Sequence, residues 1–426
     1  MSVFADRVRG VLGPLPTTEV SARRVPGSRG NGDDVADRLG GTWQEAGGHR
    51  VLVVDRSYDS AHRHGATTVA DGVPPAGGWP RLAWLAGAPV AHGLLFFDLE
   101  TTGLAGGAGT YAFLVGCGWF DGGRFLTRQF FLSSFAAERV MLAAVGTLAG
   151  ASATVVTYNG KSFDLPLIDT RYALHRMCTP FSGMPHVDML HPARRLWRDA
   201  DGARGAGTGV NGPGTGCRLT TLEQSLLGFA RVGDVPGAEI PSRYFRYVRS
   251  GDAAPLAAVL EHNRLDLLSL GLLTARAGRL LEQGLSAAAG DGEALGLGRL
   301  YARAGLADEA LACFARAAVT GGSRCAEALK AYAVLLRKLR RFEAAASAWQ
   351  RLLGLASCPS HLAWEASEAL AVHHEHRLRD PVSARRFALR SLQVETRTSQ
   401  RVAATHRLVR LNRKLGHAPV DAAQLF

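Results

Sequence analysis

Three apolar stretches in the middle of the chain each stand directly beside charged residues. Leu94-Leu95-Phe96-Phe97 is a continuous apolar run that leads into an acid, the pattern of a strand buried on both faces. The segment 153–158 is rich in β-branched residues and predicts another strand. Between residues 255 and 270, apolar residues recur at helical spacing and predict a helix. The polar residues at these three places are therefore the first candidates for function.

The strand that begins at Leu94 is followed by the first motif, Asp98-Leu99-Glu100. Strand side chains alternate, so Asp98 and Glu100 point to the same side. Thr101, Thr102 and Gly103 then break the pattern, and Gly103 permits a tight exit turn. The alternative is a strand end with two solvated acids, which the four large apolar residues before Asp98 make less favourable.

The second motif runs from Asn159 to Asp164. Asn159-Gly160 is typical of a turn, and residues 163–168 predict the start of a helix. The run Gly160-Lys161-Ser162 is not a phosphate-binding P-loop, because the position of its first glycine holds Val155. For Asp164 alone, the alternative is a helix N-terminal acid that is favoured by the helix dipole.

The third motif, His262-Asn263-Arg264-Leu265-Asp266, lies in the predicted helix. His262 and Asp266 are four residues apart and therefore share one helix face. An imidazole one turn from a carboxylate can accept a proton from a metal-bound water. A simple surface pair of His and Asp is the alternative for this motif on its own.

Taken together, the acids of the three motifs predict a metal site. A carboxylate in apolar sequence is costly unless it is compensated, and several that converge repel each other unless a cation lies among them. Hard divalent cations such as Mg²⁺ or Mn²⁺ take oxygen ligands of this kind. The sequence therefore predicts a two-metal, phosphodiester-cleaving site with four acidic ligands: Asp98, Glu100, Asp164 and Asp266.

The order of these motifs resembles the DEDD (DnaQ-like) exonuclease superfamily, and the four acids stand at its acidic positions. The residues that flank these acids are similar to those of a bacterial group, the YprB-like RNase H-like proteins with a tetratricopeptide-like tail. The matching segments are 97–104, 107–111, 158–164 and 262–266. The resemblance covers residues 90–275. It implies an α/β fold, an RNase H-like mixed sheet flanked by helices, followed by an all-α tetratricopeptide-like domain.

The resemblance also implies an activity and a set of roles. The reaction is hydrolysis of DNA or RNA, from 3′ to 5′ at a single-stranded end, with two Mg²⁺ or Mn²⁺ ions. Asp98 is expected to bridge the ions. Nucleic acid is expected to contact six residues around the acids: Thr101, Thr102, Gly103, Asn159, Lys161 and Ser162. An inactive nuclease fold that serves as a nucleic-acid-binding or protein-interaction scaffold is the alternative, although none of the four acids is lost.

Two further residues near the motifs have open roles. A related branch places its catalytic His one residue further from the last Asp, and a Tyr branch uses the spacing found here. Whether His262 is the general base therefore stays open. Asp188 resembles an acid between the second and third motifs of relatives and could orient ligands, although a strand-end or cap role is an equal alternative. His186 and His191 beside it do not make a transition-metal site.

The length of the chain indicates several domains. With 426 residues it is too long for one ordinary domain. We expect an N-terminal extension at 1–89, a catalytic domain at 90–283 and helical repeats at 290–426. Within the extension, residues 23–37 suggest a mobile start, residues 40–48 a loop, 50–55 a strand and 72–80 a connector. A Gly-rich insertion at 201–217 predicts a flexible loop.

The C-terminal region has the pattern of paired helices. Small and aromatic residues recur at the spacing of tetratricopeptide repeats, with Ala345 and Trp349 following Ala310 and Phe314 by 35 positions. Ala384 and Ala388 suggest a degenerate third unit, and residues 402–415 a closing helix. A generic helical bundle is the alternative. Such repeats could also bind a protein partner.

Charge and cysteine usage complete the picture. The net charge is +12, and residues 290–426 hold 21 Lys and Arg against 12 Asp and Glu. This surplus suggests a polyanionic partner, or it reflects an Arg-rich composition of the whole chain. The six cysteines form no Cys-x-x-Cys pair, so structural zinc is not expected. Without an 18-residue apolar run or a signal-peptide core, we expect a cytoplasmic protein with no membrane span.

Overall fold

The computed structural model describes residues 31–90, 93–103, 107–197, 217–319, 324–393 and 398–416. They fall into two compact units, which divide between Gln283 and Gly284. In these ranges, none of the helices combines the length and apolar character needed to cross a membrane.

A mixed seven-stranded sheet forms the centre of the first unit. Its order is β1-β2-β7-β6-β5-β8-β9; neighbouring strands from β1 to β5 run antiparallel, and β5, β8 and β9 run parallel. A separate two-stranded ribbon pairs β3 with β4. The strands are β1 Thr42–Ala46, β2 His49–Tyr58, β3 Arg63–His64, β4 Thr67–Thr68, β5 Leu94–Thr101, β6 Ala112–Asp121, β7 Arg124–Phe131, β8 Thr154–Thr157 and β9 His186–Asp188.

Helices flank this sheet, and the predicted mixed sheet with helices is confirmed. The longest helix, α8, packs on β5, β6 and β7. The helices of the first unit are α1 Asn31–Leu39, α2 Ala83–Ala86, α3 Glu138–Gly150, α4 Asp164–Leu174, α5 Leu190–Leu196, α6 Leu219–Leu222, α7 Ile240–Ser250 and α8 Leu256–Gln283.

Strand β5 is buried on both faces, as its apolar run indicates. Phe96 and Phe97 are both fully buried. The Phe96 ring packs against Phe120 and Phe125, with centroid distances of 5.9 and 5.8 Å, while the Phe97 ring packs against Phe181 at 4.9 Å. Because both faces of β5 are covered, the acids that follow Phe97 are held at a rigid position.

Two predictions for the N-terminal extension are wrong. The predicted loop at 40–48 contains strand β1, which pairs with β2 and is mostly exposed. The strand was not predicted because its sequence is polar. Backbone hydrogen bonds hold it at the edge of the sheet. The predicted mobile start contains helix α1 at 31–39, since Val35 and Leu39 are buried one turn apart. The rest of that stretch, 23–30, lies outside the described residues.

Other predictions for the connecting segments vary in outcome. The predicted strand at 50–55 lies inside β2, and β1 and β2 place part of the predicted extension in the same sheet as the acids. Short 3₁₀ turns at Val69–Gly72 and Pro80–Leu82 border the predicted connector. Within the Gly-rich insertion, residues 201–216 lie outside the described part of the chain.

The second unit is helical wherever it has regular structure in the described residues, as predicted for the tail. Each helix packs against the next in the chain. A Cβ at Gly298 would lie 2.7 Å from the Phe314 ring, so this glycine permits close helix pairing. The assignment to tetratricopeptide repeats stays a prediction. The helices are α9 Asp291–Ala304, α10 Ala307–Ala317, α11 Cys325–Lys338, α12 Phe342–Leu353, α13 Ser360–His376, α14 Pro381–Leu392 and α15 Thr398–Leu415.

A glycine in β6 permits the close contact between the sheet and α8. Gly116 stands opposite Asp98 in the sheet. A Cβ at this position would lie 2.8 Å from Cγ of Asn263, which is fully buried on α8. Any larger residue would therefore push α8, or the Asn263 side chain, away from β5.

We expect Gly116→Ala to lower the free energy of unfolding by about 1–3 kcal/mol, the usual cost of overpacking a filled core. Urea unfolding of the full chain measures this change. Gly150→Ala is the matched control, because a Cβ at the exposed end of α3 meets no atom within 4 Å. Equal effects of the two substitutions would contradict the packing argument.

Candidate functional site

Asp98 and Glu100 lie near the end of β5, where the first motif predicts them. They stand opposite Gly116 and Leu114 of β6, on the same side of the sheet. Asp98 is half-buried and Glu100 is 9% exposed. The strand therefore presents two carboxylates on one face with little access to solvent.

A chain of amide side chains holds Asp98. Asn263 Nδ2 donates a hydrogen bond of 2.7 Å to Oδ2 of Asp98, and it lies 3.3 Å from the backbone oxygen of the same residue. Oδ1 of Asn263 accepts a hydrogen bond of 2.8 Å from Nε2 of Gln129. Gln129 Nε2 also donates to the backbone oxygen of Leu260. These partners fix which way the Asn263 amide faces.

Asp188 organises the turn that leads to Asp164. Its carboxylate accepts hydrogen bonds from the backbone nitrogens of Asn159 at 2.8 Å, Lys161 at 3.0 Å and Leu190 at 3.1 Å. Asn159 has φ +68°, the left-handed conformation that suits Asn in a turn. Asp188 therefore holds the turn that ends at Asp164, the first residue of α4.

The predicted nucleic-acid contacts divide into two groups. The side chains of Asn159, Lys161 and Ser162 are exposed on the turn before Asp164. The hydroxyls of Thr101 and Thr102 bind the backbone instead: Thr101 Oγ1 donates to the Gly103 oxygen at 2.9 Å, and Thr102 Oγ1 accepts from the nitrogen of residue 111 at 2.9 Å. Contacts from the Thr101–Gly103 segment to nucleic acid stay a prediction.

His262 and Asp266 lie one turn apart on α8, as predicted. His262 Nε2 is 3.7 Å from Oδ2 of Asp266, while Nδ1 lies 2.7 Å from Oδ1 of Asp234. Arg231 Nη1 is also 3.2 Å from Nδ1. Nδ1 cannot donate to Asp234 and accept from Arg231 at once, and the shorter contact to a carboxylate favours donation. This tautomer leaves Nε2 free to accept a proton.

Arg231 brings a positive charge into the site. Its guanidinium binds Asp266, the buried Glu223 and, at 3.2 Å, Asp234. Burial acts to raise the pKa of Asp234, but the hydrogen bond from His262 and the charges of His262 and Arg231 hold that pKa below its usual range. The lowered pKa favours the ionised form of Asp234 beside His262 and Arg231.

The four predicted ligands act on one another electrostatically. Burial raises the pKa of Asp98 well above its ordinary value, and the other three carboxylates raise it further. Burial also raises the pKa of Glu100, followed by repulsion from Asp266 and Asp164. The pKa of Asp164 rises to about 7, first through burial and then through Asp188 and Asp266. The fold therefore places the four predicted acids near enough for their charges to act on one another.

The donor chemistry of this region fits a hard divalent cation. The predicted ligands are carboxylate oxygens, and burial together with mutual repulsion raises the pKa values of Asp98, Glu100 and Asp164. In the described ranges, however, no three His, Cys, Asp or Glu side chains are grouped closely enough to hold one ion.

Sequence reasoning missed Asn263, Arg231, Asp234 and Glu223. Asn263 stands beside His262 in the third motif. Gly116 of β6 leaves room for the Asn263 side chain and was a sequence signal of this contact with the sheet. Arg231 and Asp234 stand in a short connecting segment whose spacing carries no recognisable pattern. Only the folded chain reveals that this segment lies against α8.

Comparison with known proteins agrees with this fold. Residues 95–277 match the family model of the RNase_H superfamily, so this part of the chain resembles an RNase H-like domain. The chain is also similar to the uncharacterized protein YprB of Bacillus subtilis. The two are 29% identical over 371 residues, which span 85% of this chain and 86% of that protein. The resemblance to the YprB-like RNase H-like proteins is confirmed, while the assignments to DEDD exonucleases and to tetratricopeptide repeats stay predictions.

The repulsion among the acids predicts a pH-dependent effect of Asp98→Asn in metal-free protein. Acids whose pKa is raised by folding destabilise the protein as pH rises from about 4, where the unfolded chain ionises, towards the raised values. Removing one charge should therefore raise the melting temperature by about 2 °C or more at pH 8. At pH 5 the effect should be smaller, because the raised pKa of Asp98 favours its uncharged form as the pH falls.

Thermal unfolding in EDTA at both pH values measures this effect. Glu45→Gln, on the exposed face of β1, is the matched control and should change neither melting temperature. A destabilised Asp98→Asn protein at pH 8 would mean that Asp98 has a structural role.

Proposed function

We propose that this protein is a metal-dependent nuclease that hydrolyses nucleic-acid phosphodiester bonds, from 3′ to 5′ at single-stranded ends. One observation carries the proposal. Four carboxylates from a strand, a helix start and a long helix repel one another in one region of an RNase H-like domain. A cluster of this kind is electrostatically unfavourable in the apo protein, and a cation removes the penalty.

Asp98, Glu100, Asp164 and Asp266 would hold two Mg²⁺ or Mn²⁺ ions, the ligand set that the sequence predicts. They supply the oxygen donors that these ions prefer. A bound divalent cation supplies a Lewis acid that neutralises charge on the phosphodiester as the bond breaks. The Asn263 amide fixes Asp98 in the direction of its neighbours, and Asp188 fixes the turn that carries Asp164.

His262 is the proposed proton acceptor for the attacking water. Its Nδ1–H donates to Asp234, and its Nε2 faces Asp266. Asp234 therefore holds the imidazole in the tautomer that can accept a proton. The side chains of Asn159, Lys161 and Ser162 are exposed beside Asp164, where a cation and two polar groups can bind phosphate.

We expect Mg²⁺- or Mn²⁺-dependent release of nucleotides that is lost in Asp98→Asn and kept in Glu45→Gln. Loss of a direct metal ligand removes charge stabilisation in the transition state, whereas Glu45 lies on the exposed edge strand. The assay uses end-labelled single- and double-stranded DNA and RNA, with EDTA as the metal-free control.

The end label distinguishes an exonuclease from an endonuclease. Products that shorten stepwise from the 3′ end support an exonuclease. Products that are cut at internal positions mean an endonuclease. The absence of any cleavage, together with intact nucleic-acid binding, would favour the scaffold alternative. The cytoplasmic location stays a prediction from sequence.

The second unit is proposed to bind nucleic acid through exposed basic residues at the end of α11. Arg337, Lys338 and Arg340 are all exposed. Replacing the three with Gln should reduce the slope of log affinity against log salt by about 2, because three fewer counterions leave a single strand on binding. Turnover at saturating substrate should be unchanged, since the acids lie in the first unit.

Fluorescence anisotropy with a single-stranded oligonucleotide at several salt concentrations measures the slope. An unchanged slope and affinity would instead make these helices a protein-docking module.

A further inference from the structure

Aromatic side chains begin near the acids and continue along the same end of the sheet. The backbone nitrogen of Tyr111 donates to Oγ1 of Thr102 at 2.9 Å, and its backbone oxygen accepts from the Thr102 nitrogen at 2.9 Å. The ring of Tyr111 lies 4.5 Å from the ring of Phe135, measured between centroids. Phe135 is 38% exposed. An aromatic surface that reaches solvent therefore starts beside Thr102, close to Glu100.

A cleft of about 390 Å³ lies next to Phe135 at this end of the sheet. Ser134, the neighbour of Phe135 in the chain, lines it together with residues of β1, β2 and α7. None of the described residues that line the cleft is acidic, whereas Arg50 carries a permanent positive charge there. Pockets for small organic groups start at about 300 Å³. The cleft is therefore large enough for one nucleotide unit and favours a ligand with negative charge.

Arg50 and Trp43 form one stacked unit in this cleft. The guanidinium carbon of Arg50 lies 4.3 Å from the centroid of the Trp43 ring. Both side chains are half-buried, and no carboxylate of the described ranges lies within ion-pair distance of Arg50. Nucleobases stack on guanidinium planes as well as on aromatic rings, and the N–H edge of a guanidinium binds phosphate. The stacked unit can therefore bind both the base and the phosphate of a nucleotide.

The strand register places this unit on the same face of the sheet as the acids. Directly opposed residues of antiparallel strands share a face, and each step crosses about 4.8 Å. Four such steps separate Glu100 from Trp43 by about 19 Å along the sheet. The steps are Glu100 to Leu114, Leu114 to Phe131, Phe131 to Leu52 and Leu52 to Trp43.

Each of the four strands from β1 to β6 in the sheet order contributes one group to this end. The four groups, which we call the stacking strip, are Trp43 on β1, Arg50 on β2, Phe135 after β7 and Tyr111 before β6. Proteins that bind single strands combine such stacking groups with positive charge. We propose that the stacking strip binds the bases and phosphates of a nucleic-acid single strand whose end lies at the acids. This inference rests on the proposed nuclease function and gives its substrate a path.

The affinity of the full chain for a fluorescent single strand tests the strip. At about 3.4 Å per stacked nucleotide, roughly six nucleotides span the strip, so a strand of about twelve is long enough. Stacking on one base is worth about 5–150-fold in affinity. Phe135→Leu keeps the apolar volume without the ring, and Arg50→Gln removes the guanidinium. Each should weaken binding at least about fivefold, measured by anisotropy in EDTA, where no metal supports cleavage.

Two substitutions outside the strip are matched controls. Phe245→Leu changes a phenylalanine of α7 that is 37% exposed, nearly the same as Phe135. Arg124→Gln removes an exposed charge at the start of β7, which is the opposite end of the sheet. Both should bind the strand like the unmodified protein, and Phe135→Tyr, which keeps a ring, should do so as well. Equal weakening by the controls would overturn the inference.

The length of the substrate separates a binding role of Arg50 from a structural one. A dinucleotide at the acids is too short to reach the stacked unit. With Mg²⁺, Arg50→Gln should therefore lower kcat/KM for the long strand and leave kcat/KM for a dinucleotide unchanged. Equal losses for both substrates would mean that Arg50 only supports the fold, and would overturn the inference.

The strip and the nuclease function can fail separately. Metal-dependent cleavage with unchanged strand affinity in Phe135→Leu and Arg50→Gln overturns the strip and leaves the nuclease proposal standing. Strip-dependent binding without any cleavage supports the strip and overturns the nuclease proposal. If adenosine 5′-monophosphate binds as tightly as the strand and also depends on Arg50, the cleft is a site for a free nucleotide and the strand path is wrong.

Discussion

The electrostatic cost of holding several carboxylates together is the constraint on which this site depends. Three acids of the cluster are held by three different kinds of group. A neutral amide binds Asp98, a guanidinium binds Asp266, and the backbone turn before Asp164 is held by Asp188. Arg231 forms an ion pair with Asp266 and also acts to lower the pKa of Glu100, but burial and the neighbouring acids raise the pKa values of Asp98, Glu100 and Asp164 overall. A cation among these acids would reduce their repulsion.

The long helix α8 supports this arrangement. It carries Asn263, His262 and Asp266 within two turns and packs on the three central strands. Asn263 points at the sheet, where Gly116 leaves it room, and its neighbour His262 turns towards Asp234. Helix geometry fixes the spacing of the three side chains, and the sheet contact fixes where they stand relative to Asp98. A shift of α8 would change every distance in the site.

Two buried arginines stabilise the regions around the acids by the same physical means. Arg171 forms a buried pair with Glu138, and its Nη1 donates to the backbone oxygen of Ala108 at 2.6 Å. Arg231 forms a buried pair with Glu223 and extends to Asp266. In both cases a guanidinium that is paired with a buried glutamate also donates to a neighbouring segment. Arg171 thereby ties α4 to the segment after β5, while Arg231 ties its own segment to the acids.

The sequence by itself determined the local settings of the acids. The apolar run before Asp98, the turn before Asp164 and the helical spacing of His262 and Asp266 are short-range patterns, and the strand, helix start and helix they predict are those observed. The same patterns failed at β1, because an exposed edge strand is stabilised by backbone pairing and not by side-chain burial.

Only the tertiary structure decided which charges meet. Arg231 precedes Asp266 by 35 residues, and Asn263 follows Asp98 by 165. No periodic pattern connects residues this far apart, since their contact depends on how α8 packs against the sheet. The compensating charge of a buried acid is a long-range property of the fold, and so the identity of its partner could not be predicted from the neighbouring sequence.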